Sequence, residues 1–149
     1  MILFHTSPTH VVKAETGVFG QFLCFSLAPY SMSPGPVVTY SLDIDDDKLI
    51  DSKSLFYTVD SDESAAVSRF AAEFDISKDD AAALIEQSAD PFDMFDDSEI
   101  AENAGWASQK YAGEVALEGG FIGAITSDEQ GSCYMIPAAY SIESWSIHE

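Results

Sequence analysis

Phe121-Ile122-Gly123-Ala124-Ile125-Thr126, then Ser127-Asp128-Glu129-Gln130-Gly131, then Ser132-Cys133-Tyr134-Met135-Ile136 is the stretch that decides the fold class. Two apolar runs rich in β-branched and aromatic residues flank a polar, turn-forming segment, which predicts an antiparallel hairpin. Downstream, Tyr140 to Ile147 predicts a last strand. Upstream, Trp106 to Leu117 predicts a helix with Tyr111, Val115 and Ala116 on its inner face, stopped by Gly119-Gly120.

Further upstream the pattern stays helical. Asp62 to Phe74 sets Val67, Phe70 and Phe74 on one stripe, and Ser77 is a natural N-cap for a helix that faces Leu84 and Ile85 inward. Asp90, Asp93, Asp96, Asp97, Glu99 and Glu102 make residues 89–104 read as a surface loop holding at most a short helix. The N-terminal part reads as strands at Ile2–His5, Phe22–Ser26 and Val37–Ile44, with Leu49-Ile50 and Leu55-Phe56-Tyr57 extending the sheet. Strands, then helices, then strands joined by antiparallel links define an α+β class rather than a doubly wound parallel sheet. The 149 residues read as a single domain, 1–149.

The chain carries 26 acidic against 6 basic residues, a formal charge of −20. Such a field repels phosphate backbones and anionic membranes, which argues against direct nucleic-acid or membrane binding and favours a basic protein surface as partner. Solubility alone accounts for the same charge equally well. The opening Met1-Ile2-Leu3-Phe4 is too short for a signal-peptide core, and no run approaches the roughly 20 apolar residues of a membrane span. Cys24 and Cys133 read as buried free thiols in a reducing compartment, so the expected location is the cytoplasm.

Common catalytic and metal signatures are missing. Asp43, Asp45 and Asp47 have the first ligand spacing of a calcium loop, but Lys48 and Ser54 stand where Gly and a bidentate Glu are needed. His5 and His10 lack the partners of a zinc site, so no metal is expected. No nucleophile elbow, P-loop or dinucleotide glycine fingerprint occurs.

One constellation remains. Leu3-Phe4-His5-Thr6-Ser7 opens the chain, Gly17-Val18-Phe19-Gly20 follows, and a strand ends in Phe25-Ser26; near the other end a helix runs through Gly119-Gly120 into the hairpin with Asp128-Glu129-Gln130-Gly131. This order resembles the ADP-ribosyltransferase fold of the histidine-containing branch, above all the small phage anti-CRISPR mono-ADP-ribosyltransferases that disable type I-F surveillance complexes. The matching segments are residues 2–45 and 105–147. Thr6 stands where that family commonly has Gly, and Cys24 where relatives often place Tyr.

The resemblance implies an ADP-ribosyltransferase-like fold of mostly antiparallel sheets, with a helical segment between the N-terminal and C-terminal strands. It implies an enzyme that uses NAD⁺ as substrate, without metal, in the host bacterial cytoplasm. His5 would bond a ribose hydroxyl, and the main chain of Thr6 would hold the carboxamide. Phe19 and Phe25 would flank the nicotinamide, with Ser26 and Tyr30 lining the same pocket. Asp128 or Glu129 would supply the catalytic carboxylate, with Asp128 preferred, and His5 would face a cleft that also receives it. The partner it implies is a PAM-recognising Cas subunit with a basic DNA-reading surface. An inhibitor without enzymatic activity, whose carboxylates mimic DNA in a basic groove, is the alternative, and residues 90–102 suit it.

Overall fold

The computed structural model describes residues 1–7, 21–27, 38–128 and 131–148, without the side chains of Ser7, Asp128 and His148. In chain order the elements are β1 (Ile2–Ser7), β2 (Phe22–Phe25), β3 (Val38–Asp43), β4 (Leu49–Asp51), α1 (Leu55–Thr58), α2 (Ala65–Phe74), α3 (Lys78–Ile85), α4 (Pro91–Met94), α5 (Ser98–Glu118), β5 (Gly123–Asp128), β6 (Gly131–Pro137), α6 (Ala138–Ser144) and β7 (Ser146–His148). The class is α+β, as the element order predicts.

The strands form two sheets, β1-β3-β7 and β2-β6-β5-β4. A bridge between Phe4 and Ser26 joins them, so the run reads β7-β3-β1-β2-β6-β5-β4 and β1 lies inside it. Most pairs are antiparallel; β4 and β5 run parallel, through Leu49↔Gly123 to Asp51↔Ile125. The hairpin expected from residues 121–136 is β5–β6, with Asp128 opposite Gly131. Gly123 fits because the strands approach closely: a Cβ there would overlap the Met135 carbonyl.

The helices cover one side of the second sheet. Leu55, Val67, Phe70, Leu84, Ile85, Tyr111, Val115 and Ala124 form the main core. The Phe70 ring stacks on Tyr111 at 4.9 Å and meets Phe74 edge-on at 5.3 Å, both favoured ring geometries. Tyr111 Oη donates to the Glu73 carboxylate at 2.5 Å. A second cluster, with Leu3, Leu23, Phe25, Leu42, Tyr134 and Ile136, fills the other side.

The helix caps follow the sequence. Ser77 caps α3 by accepting from Asp80 N–H, as read from the sequence, and Ser64 caps α2 by accepting from Val67 N–H, so that helix starts at Ala65 rather than Asp62. The Glu118 carboxylate reaches back from the end of α5 to the start of α2. It takes a 2.5 Å bond from Ser64 Oγ and one of 3.1 Å from Ala66 N–H, placing an anion at the positive end of a helix.

Several expectations are corrected. The acidic stretch is mostly ordered helix: Asp90 caps α4 and Asp97 caps α5, which starts at Ser98 rather than Trp106. Leu55-Phe56-Tyr57 form the helical turn α1, not a strand. Residues 140–147 split into α6 and the short β7, because Pro137 ends β6 and its fixed φ of −54° starts a helix. The cysteines are not free thiols: Cys24 and Cys133 are joined as a disulfide. Pairing of β2 with β6 sets their Cα atoms 5.5 Å apart, within bridging range. Among the described residues no helix is long and apolar enough to cross a membrane.

Candidate functional site

His5 sits in the middle of β1, opposite Tyr40 of β3. Its ring packs against Phe25 at 5.5 Å and lies parallel to Trp145 at 6.2 Å; Trp145 in turn stacks on Tyr40 at 3.8 Å. Nδ1 lies 2.9 Å from the Cys24 carbonyl, which can only accept, so Nδ1 carries the proton. Burial pushes the His5 pKa below the ordinary histidine value, and the bond to Cys24 opposes that only in part. The imidazole is therefore neutral near pH 7, with Nε2 left as an acceptor.

The backbone beside His5 is opened. Phe4 N–H donates to Ser26 C=O and Ser26 N–H donates to Phe4 C=O, at 2.8 Å each, and Met1 C=O accepts from Ile44 N–H. In an antiparallel ladder these bonds alternate, so Leu3 and His5 bond toward β3 while Phe4 and Thr6 face β2. After the Phe4–Ser26 bridge β1 and β2 no longer pair, and among the described residues the N–H and C=O of Thr6 have no ladder partner. The Thr6 side chain is buried on the other face, with Oγ1 3.3 Å from Thr39 Oγ1. Next to His5, then, the main chain has one donor and one acceptor that no described residue takes.

The other residues singled out by the sequence fall in different places. Phe25 is fully buried in the second core cluster, and Ser26 forms the bridge to Phe4. Phe19, Tyr30 and Glu129 lie outside the described residues. Asp128 ends β5. Following the ladder from His5 leads through Phe25 and Tyr134 to Ile125, and residue 128 is three positions further. At about 4.8 Å per strand and about 3.3 Å per residue, the two backbones are roughly 17 Å apart. Residue 128 also falls in the alternate set of Ala124 and Thr126, not that of Ile125. The described residues do not bring His5 and residue 128 together in one contact.

The end of β5 is held from two helices. Thr126 Oγ1 donates to Gln109 Oε1 of α5 at 2.8 Å, and the Gln87 side chain engages both peptide groups of Ser127. Beside it an open groove of about 1290 Å³ runs between α3, α4 and α5, lined by Gln87, Asp90, Phe92, Glu102, Trp106 and Ser127 among others. Sequence reading missed Tyr40, Trp145, Gln87 and Gln109. Only the aromatic character of the first two was a signal, and nothing in the sequence set them against His5. Among the described residues no three His, Cys, Asp or Glu side chains converge as a metal site.

The fold and this strand arrangement define an α+β class shared with solved proteins. One is described as "Crystal structure of an anti-CRISPR protein": it matches with a TM-score of 0.59 and 18% identity, over 99% of this chain and 93% of that one. No protein-family model and no curated protein matches the sequence.

Proposed function

We propose that this protein is an anti-CRISPR mono-ADP-ribosyltransferase that consumes NAD⁺ and modifies a subunit of a type I-F surveillance complex. The observation that carries the reading is the opening beside His5. A donor and an acceptor on Thr6 that no described residue takes suit a carboxamide, which needs one of each, and a neutral imidazole suits a ribose hydroxyl. The segments that carry the family resemblance, distant in sequence, are adjacent strands: β1 bridges to β2, and β2 pairs with β6 of the hairpin. The fold shared with an anti-CRISPR protein supports the biological role.

His5 and the catalytic carboxylate act on the same sugar, the ribose that bears nicotinamide, so in this reading that ribose binds between β1 and the end of β5. Cleavage of the C1′–nitrogen bond sends its electron pair to nicotinamide and leaves an oxocarbenium-like ribose. The carboxylate of Asp128, or of neighbouring Glu129, stabilises that charge. An acceptor side chain then forms a bond to C1′ and gives up a proton. On a PAM-reading surface the added phosphates repel DNA where it must dock.

Peptide mass spectrometry of a purified type I-F complex, incubated with the protein and NAD⁺, is the test. ADP-ribose on a complex subunit is the expected result, and unmodified subunits despite tight association overturn it.

A second reading is favoured by Asp90, Asp93, Asp96, Asp97, Glu99 and Glu102, all exposed on and around α4 and the start of α5. Such a surface can occupy a basic groove in place of DNA. Full inhibition of DNA binding without NAD⁺, with association slowing as salt screens the charges beyond about 8 Å, supports this reading over the enzymatic one.

A further inference from the structure

We propose that Gln87 is a positioning residue that fixes the end of β5, and with it the backbone of the candidate acid Asp128. The inference rests on the transferase reading above. It starts from a backbone anomaly. Gln87 has φ of +61°, a left-handed conformation unusual for a residue with a Cβ.

Its place explains the conformation. Ser88 N–H bonds to Ala83 C=O at 2.9 Å and Gln87 N–H to Leu84 C=O at 3.2 Å, the bond pair of a Schellman cap ending α3. In that motif the position held by Gln87 strongly favours glycine, since only glycine adopts it without strain. The glutamine side chain is used instead. Nε2 donates to Ser127 C=O at 2.6 Å, while Oε1 accepts from Ser127 N–H at 2.9 Å and from Ser52 Oγ at 3.0 Å.

These bonds replace a missing strand. β4 pairs with β5 only as far as Asp51↔Ile125, and the chain then leaves the sheet in a 3-10 turn at Ser52–Ser54. The outward peptide groups of Ser127 would otherwise be unpaired, and the Gln87 amide supplies both a donor and an acceptor to them. The residue held this way immediately precedes Asp128 in the strand. A carboxylate that must meet a developing charge gains from a fixed backbone, because small displacements at a reacting centre are costly.

The glycine preference of the cap separates the side chain's role from the fold. Gln87→Gly removes the amide and relieves the positive φ, so the variant is expected to fold with a melting temperature no lower than the parent's. Hydrogen exchange at the Ser127 amide should quicken by about tenfold or more as that end opens locally. NAD⁺ turnover, read as nicotinamide release, should lose about 10- to 100-fold in kcat with KM for NAD⁺ nearly unchanged. Gln87→Glu keeps both accepted bonds but cannot donate to Ser127 C=O when ionised, and should fall between parent and Gln87→Gly. Parent-like kcat in Gln87→Gly, with an active parent, overturns the positioning role and leaves the transferase reading standing. A parent with no NAD⁺ turnover overturns the transferase reading and this inference with it. If Gln87→Gly fails to fold, Gln87→Glu decides, and parent-level kcat there overturns the proposal.

Discussion

The helical layer and the β1–β2 junction are built on opposite principles. Around Phe70 the helices bury side chains on all sides, close their ends with Ser64, Ser77, Asp90 and Asp97, and tie α2 to α5 through Glu118. Between β1 and β2 the ladder stops after the Phe4–Ser26 bridge, and among the described residues nothing pairs with the polar backbone beside a half-buried histidine. Buried backbone groups are nearly always satisfied, so an opening in a ladder is costly unless something fills it. The difference assigns stability to one region, and in the proposed function ligand recognition belongs to the other.

Substitutions can break or sharpen that division. Phe70→Ala removes a fully buried ring stacked on Tyr111 and should cost about 3–5 kcal/mol in urea unfolding, the largest stability effect expected. At the strand end, Asp128→Asn should leave stability and NAD⁺ binding near parent levels while slowing ADP-ribose transfer about a hundredfold, or about 2.7 kcal/mol in barrier. Glu129→Gln is the paired variant. If it alone abolishes transfer, the catalytic carboxylate is one residue further on. Equal transfer by both variants and the parent removes the carboxylate mechanism.

Smaller effects separate the regions further. Ser64→Ala deletes the cap of α2 and a bond to Glu118, and should cost about 1 kcal/mol of stability with turnover unchanged. The smallest effect is the pH response of His5. Its folded pKa lies below the unfolded value of 6.5, so between the two the unfolded chain binds more protons. The contribution of neutral His5 is complete above pH 6.5 and is lost as pH falls toward the folded pKa. His5→Asn retains an N–H donor but does not titrate, so its stability should fall less than the parent's over that window. Parallel pH curves for the two would show that His5 is not held neutral.

What the sequence revealed follows from how strongly each residue type signals. The hairpin at residues 121–136, the α2 stripe and the Ser77 cap were legible because large apolar side chains, turn residues and a cap serine carry local information. The first turns of α5 were not. The helix buries Ala101, Ala104, Ser108 and Ala112, small side chains with little hydrophobic signal, under a surface of acids that reads as loop. The disulfide was missed because strand pairing, not sequence spacing, brings Cys24 to Cys133 across 109 residues. The motif around His5 was visible, but its setting was not: Trp145 and Tyr40 reach it through β3 and the chain segment between α6 and β7. Gln87 gave no signal, since glutamine is common on helix surfaces and its partner Ser127 is 40 residues away.

The most direct test of the account is thermal unfolding of the parent protein and of His5→Ala over a range of NAD⁺ concentrations. A ligand that binds only the folded state raises the melting temperature in a saturable way, by about 2.7 kcal/mol of stability at one hundred times its Kd. The account predicts that rise for the parent and a curve shifted to higher NAD⁺ for His5→Ala. A parent melting temperature unmoved by NAD⁺ at every concentration would contradict it.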